Sequence, residues 1–180
     1  MDLAMMVDVD KTPGTATAEA RQQYGVLPWR FRGKGGIEML LITSRERGRW
    51  IVPRGWPMKG RAPFMTAALE AFEEAGIIGD IDPQPLTDFH YLKGRDDGSR
   101  EHVKVTLFGM NVQGTLTHWR ERGQRKRQWF GLDEAAARLD DVELARFVRM
   151  LASDPARLVK RHRSRRGFGS QQPAPEISPA

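Results

Sequence analysis

The segment "PFMTAALEAFEEAG" constrains the fold of this chain more than any other. Proline is tolerated where a helix starts and glycine is expected just past its end, so the spacing predicts a helix over Pro63–Ala75 closed by Gly76. At about 100° per residue, Met65, Ala68, Leu69, Phe72 and Ala75 fall along one side. Glu70, Glu73 and Glu74 gather on the other, within roughly a third of a turn. The reading is a helix with an apolar back laid on a sheet and a carboxylate front. No lysine four residues away offsets the acids, so they repel one another unless something positive sits among them.

Carboxylates on one front suit Mg²⁺, or Mn²⁺ in its place, because these ions prefer hard oxygen ligands and keep water and phosphate oxygens in their shell. A solvated acidic helix face is the alternative, and the helix alone does not separate the two. The loop before it, "VPRGWPMKGR", favours the metal reading. Gly55 and Gly60 let backbone approach a ligand closely, while Arg54, Lys59 and Arg61 bring positive charge. A metal on one side and Arg or Lys on the other is how phosphates are neutralised.

Charge agrees with that loop. The net charge is +6, divided as −3 over residues 1–20, +5 over 21–152 and +4 over 153–180. A basic body suits a polyanionic ligand, although solubility alone is a sufficient reason for it. The chain has no cysteine, which excludes disulfides and thiolate metal sites and fits a reducing cytoplasm. No apolar run approaches the length of a bilayer span, and the start is acidic where a signal peptide is basic, so a cytoplasmic protein without a membrane partner is expected.

Along the chain, residues 1–20 read as a flexible lead-in and 21–152 as one domain. Residues 153–180 read as a basic run, "RLVKRHRSRRG", followed by a disordered Pro-, Ser- and Gln-rich end. Within the domain, strands are expected at "QYGVLPWRFR", "IEMLLIT", "RWIVP", "LTDFHYLK", "EHVKVTLFGMNV" and "RQWFGL". Helices are expected at "DEAAARL" and "DVELARFVRMLA", the second with Leu144, Phe147, Val148 and Leu151 at helical spacing and Asp141 as its cap. Strands interleaved with a few helices give an α/β or α+β class.

The stretch Gly55–Ile77 resembles the Nudix box, the signature of hydrolases that cleave a nucleoside diphosphate linked to another group. Gly55, Glu70, Glu73, Glu74, Gly76 and Ile77 stand where that box requires them, with Ala71 at its aliphatic position. Two positions depart: the upstream glutamate is Arg61 and the arginine is Leu69. In the family these two pair, so losing both leaves no orphan charge. The likeness extends over roughly residues 23–150. "THWRERGQRKRQWFGLDEA" is similar to the branch that hydrolyses diphosphoinositol polyphosphates and diadenosine polyphosphates.

The resemblance implies a Nudix fold, a mixed β-sheet sandwiched between helices. It implies Glu70 and Glu74 as metal ligands with the Gly55 carbonyl, and Glu73 as the base that activates water. Glu121, and less directly Asp133 and Glu134, are alternative bases from outside the box. Arg45 and Lys126 match phosphate-binding positions, while Arg54 and Trp56 are substrate contacts inferred from the loop. Arg125 and Arg127 are expected to flank Lys126 and point to the opposite strand face, with at least one of the three solvated. Trp29, Trp50, Trp119 and Trp129 are read as core or strand anchors, and His90, His102, His118 and His162 show no metal-ligand spacing.

The expected reaction is Mg²⁺-dependent hydrolysis of a phosphoanhydride in a small polyphosphate or nucleotide. ADP-ribose or another nucleoside diphosphate derivative is the alternative substrate. A nucleotide- or RNA-binding module that has lost turnover is the alternative class, and three retained glutamates weigh against it.

Overall fold

The computed structural model describes residues 20–33, 36–95 and 97–159. The expected lead-in over 1–19, and the basic and disordered end from 160 onward, lie outside the described residues. In chain order the elements are β1 (Arg21–Arg32), β2 (Gly36–Thr43), β3 (Trp50–Ile51), β4 (Arg54–Gly55), α1 (Pro63–Ala75), β5 (Ile77–Gly94), β6 (Arg100–Thr115), β7 (Arg127–Gly131), α2 (Leu132–Arg138) and α3 (Val142–Ser153).

The strands form one mixed sheet in the order β3-β2-β1-β6-β5, with β4 paired to β1 and β7 to β2. β1 and β6 run parallel, Val26 opposite Phe108, and the other pairs are antiparallel. Because successive side chains leave a strand on opposite faces, neighbours divide between two cores. Val26, Leu40, Ile42, Phe108 and Met110 pack with Ala67, Ala71 and Ala75 of α1. Leu27, Leu41, Leu107 and Phe89 pack on the other face with Ala135 of α2 and Leu144, Val148 and Leu151 of α3. The sheet is thus sandwiched between helices, as expected. Leu158 joins the second core at 2% exposure, so the packed body continues past residue 152.

α1 keeps its predicted ends. Gly76 adopts φ 60°, and its N–H donates to the carbonyls of Ala71 and Phe72, a left-handed cap that glycine makes without strain. The helix is turned over relative to the expected packing, however. Its buried residues are Thr66, Ala67, Ala71, Glu74 and Ala75, while Met65 and Phe72, assigned to the apolar back, are 48% and 45% exposed. The alanine stripe faces the sheet and the bulky residues face outward. Glu70 and Glu74 flank that stripe, so the same rotation carries their carboxylates inward.

Two further expectations are corrected. The strand expected at Leu86–Lys93 begins at Ile77, because Pro83 and Pro85 sit in an edge strand where the register shifts between Ile81 and Pro85. Proline lacks a ladder N–H and is accommodated at such a place. Asp141 stands at the start of α3 but makes no capping bond; its carboxylate is engaged by Arg54 instead.

Candidate functional site

The C-terminal half of α1 meets the β4 loop on one side and the turn before β7 on the other. That turn is brought in by backbone, since the Glu121 N–H donates to the Glu73 carbonyl at 3.2 Å. Arg127 fastens the same junction. Its guanidinium donates to the carbonyls of Ala75 (2.6 Å), Gly76 (3.1 Å) and Leu116 (2.7 Å) and stacks 4.0 Å over Trp119. A cation on the last carbonyls of a helix meets the negative end of its dipole. Trp119 in turn donates its indole N–H to the Glu74 carbonyl at 3.2 Å, so this tryptophan is an anchor, as expected.

Each glutamate of α1 has a different setting. Glu70 is half-buried against Gly55: a Cβ at position 55 would lie 2.1 Å from the Glu70 carboxyl carbon, so that contact requires glycine. Burial first, and then repulsion from Glu73 and Glu121, pushes the Glu70 carboxyl up. Among the described residues it has no hydrogen-bond or ion-pair partner. Glu73 is partly exposed and accepts a hydrogen bond from Arg120 at 2.6 Å. Glu74 is buried, accepts the Arg54 backbone N–H at 3.0 Å, and is paired with Arg125.

Arg125 is the positive group beside Glu74, and it is shared with Glu121 rather than with Glu70 or Glu73. It is 9% exposed, donates Nε to Glu121 at 2.5 Å and Nη1 to the Thr43 carbonyl at 3.0 Å, and turns Nη2 to Glu74. The expectation that Arg125 flanks a strand is therefore corrected: β7 begins only at Arg127, and alternation along the strand says nothing about residue 125. The spacing of Glu121 and Arg125 at i, i+4 is the sequence signal that marks this pair.

The structure divides the remaining candidates. Arg45 reaches the cluster, 3.6 Å from Glu121. Lys126 beside Arg125 has an exposed side chain, and its backbone exchanges hydrogen bonds with Thr43, both at 2.9 Å. Arg54 does not reach toward the glutamates; its side chain leaves β4 on the α3 side of the sheet, where Asp141 holds it at 3.0 Å. Trp56 packs against the same core, with Arg21 and Lys93 over its ring at 4.2 and 4.9 Å. Asp133 and Glu134 are exposed on α2, with Glu134 paired to Arg138, and stand apart from the cluster. Of the bases considered outside the box, only Glu121 is brought to the site.

The donor set fits a hard divalent cation. Glu70, Glu74 and the Gly55 carbonyl offer hard oxygen donors, and burial makes both carboxyls costly to ionise, Glu74 with Arg125 beside it and Glu70 in no ion pair among the described residues. Among the described residues no group of three acids or histidines already stands at ligating distance; Glu74 and Glu121 close around Arg125.

Glu74 gives the site a pH signature. Burial raises its carboxyl to about 7 against the attraction of Arg125 and the Arg54 N–H, with Glu70 and Glu121 adding to the rise. A carboxyl raised in the folded state binds more protons folded than unfolded between 4.5 and about 7, so stability falls as pH climbs through that window. The loss amounts to about 3 kcal/mol at most. The melting temperature of the metal-free protein is expected to drop between pH 5 and pH 7.5, and Glu74→Gln to flatten the drop. Calorimetry showing a wild-type Tm that rises over the same range would contradict it.

The NUDIX domain profile matches residues 21–151 of the chain. The chain belongs to the Nudix family. Among curated Nudix relatives, Nudix hydrolase 21, chloroplastic, of Arabidopsis thaliana is 30% identical over 125 residues, covering 66% of this chain and 60% of that protein. Diphosphoinositol polyphosphate phosphohydrolase 3-beta of Bos taurus is 34% identical over 108 residues, 58% of this chain and 62% of that one. The chain thus spans about three fifths of the length of either relative. Among solved structures, the Caenorhabditis elegans Ap4A hydrolase binary complex superposes with a TM-score of 0.59 at 23% identity, over 76% of this chain and 98% of that one. That likeness establishes the Nudix fold implied by the sequence. Among the described residues no helix is long and apolar enough to cross a membrane.

Proposed function

We propose that the chain hydrolyses a phosphoanhydride bond in a small polyphosphorylated molecule, using Mg²⁺ or Mn²⁺ held by Glu70, Glu74 and the Gly55 carbonyl. The observation that carries this reading is the Glu70 carboxylate, half-buried against Gly55, crowded by Glu73 and Glu121 and in no ion pair among the described residues. A solvated acidic helix face would turn such a group outward; here it is turned in. A divalent ion bound there supplies charge neutralisation for the phosphates.

The chain's own residues divide the remaining work. Glu73, accessible at the edge of the cluster, accepts the proton of the attacking water as its oxygen bonds to phosphorus. The anhydride P–O bond then breaks, and its electron pair leaves on the departing phosphate. Arg45 and Lys126, on the rim beside Glu121 and Arg125, meet the phosphate oxygens. Trp56, although it packs on the α3-side core, follows Gly55 directly, and a substrate contact there would involve a part of the molecule distant from the reacting phosphates. Diphosphoinositol polyphosphates and dinucleoside polyphosphates are the substrate classes favoured, in keeping with the names borne by the bovine relative and the nematode structure.

The test is release of phosphate or nucleotide from diphosphoinositol polyphosphate, diadenosine polyphosphates, ADP-ribose and nucleoside triphosphates, with and without Mg²⁺ or Mn²⁺. Metal-dependent turnover of a substrate from the first two classes supports the proposal in full. Turnover of ADP-ribose alone corrects the substrate, and ligand binding without turnover of any substrate overturns the enzyme.

A further inference from the structure

The buried pair Arg54–Asp141 lies on the far side of the sheet from the glutamates, yet it is bonded to the segment that holds two of them. β4 is two residues long, Arg54 and Gly55, and pairs with Gly25 and Tyr24 of β1. The Arg54 N–H donates to Glu74 at 3.0 Å, and Gly55 is the surface against which Glu70 rests. Whatever fixes β4 therefore fixes where both carboxylates sit.

The Arg54 side chain is built in tightly. Its guanidinium donates to Asp141 at 3.0 Å, with the two side chains 9% and 11% exposed. It also lies 4.1 Å over the Tyr91 ring and 5.5 Å over that of Phe89. Tyr91 is held in turn by its hydroxyl, which donates to the buried Gln23 at 2.9 Å. Asp141 occupies the capping position of α3 but leaves the helix N–H groups to serve Arg54. An aspartate that gives up a cap for a nearly dry ion pair ties the start of α3 to β4.

We propose that Asp141 is a positioning residue for the carboxylate site: through Arg54 it locks β4, and so sets the Arg54 N–H on Glu74 and Gly55 on Glu70. The metal part of this inference rests on the reading of Glu70 and Glu74 as ligands; the tether does not. A partner that orients a ligand from behind typically changes metal affinity by about ten- to a hundredfold when removed.

The test uses the full chain, ¹⁵N-labelled, as wild type and Asp141→Asn. Amide hydrogen exchange is read at Arg54 and at Val105 and Leu107 of the sheet centre, and Mn²⁺ affinity by paramagnetic titration. In the variant, exchange at Arg54 is expected to quicken, and Mn²⁺ to bind, by factors of about ten, the first faster and the second weaker, with Val105 and Leu107 unchanged. Unaltered exchange at Arg54 overturns the proposal, as does a uniform quickening across the sheet, which marks a merely structural pair. If wild type binds no Mn²⁺, the metal reading of the site fails, and exchange at Arg54 alone decides the tether. Should Asp141→Asn not fold, Arg54→Met gives the same readout at position 54. It keeps the backbone N–H, packs its stem on Tyr91 and frees Asp141 to cap α3.

Discussion

Glu73→Gln is expected to lower turnover about a thousandfold while leaving the fold intact, because a positioned general base contributes about 10²–10⁴ in rate. Glutamine has the shape of glutamate but cannot take the proton of water at neutral pH. Among the described residues the side-chain bond lost is the one to Arg120, whose side chain is 71% exposed. Such surface pairs contribute little, so Tm should move by no more than about 2 °C. Glu121 is the rival base, and the two are separable. It is held by Arg125 and Arg45, so Glu121→Gln disturbs the ion-pair cluster as well as the chemistry. Full activity in Glu73→Gln with a thousandfold loss in Glu121→Gln would transfer the role.

The second large effect is on stability. Arg125→Met should lower the Tm of the metal-free protein by about 10 °C at pH 8, since removing one partner of a buried pair strands the other charge at a cost of about 3–5 kcal/mol. The stranded group is Glu74, whose burial is almost complete. Below its raised pKa the carboxyl is neutral and needs no guanidinium, so the same substitution should cost clearly less at pH 5. The comparison of the two pH values separates lost charge compensation from lost packing. An equal drop at both would assign Arg125 to packing, and no drop at pH 8 would remove it from the site altogether.

Much of this site was legible in the sequence because local rules decide it. Pro63 and Gly76 bracket α1, and the spacing from Gly55 to Ile77 identifies the loop-and-helix unit. What could not be read depended on contacts between distant segments. A helical projection sorts Met65 and Phe72 from Ala67 and Ala71, but it does not say which set faces the sheet. The assumption that larger apolar residues go inside failed because the helix packs closely through alanines, with the carboxylates beside them. Arg125 was hidden for a related reason. It lies in the turn before β7, and only the fold of that turn onto α1 brings it between Glu74 and Glu121. Arg54 was read by its neighbours in sequence, whereas only its backbone N–H meets Glu74 and its side chain leaves β4 toward Asp141.

The central claim is that the carboxylate cluster holds a divalent cation, and Mn²⁺ binding to metal-free protein measures it directly. Electron paramagnetic resonance titration of wild type and Glu70→Gln is predicted to show saturable Mn²⁺ binding that Mg²⁺ displaces. Affinity should be at least about tenfold weaker in the variant, which loses a ligand. No saturable binding in wild type, or equal affinity in the two proteins, would contradict the account.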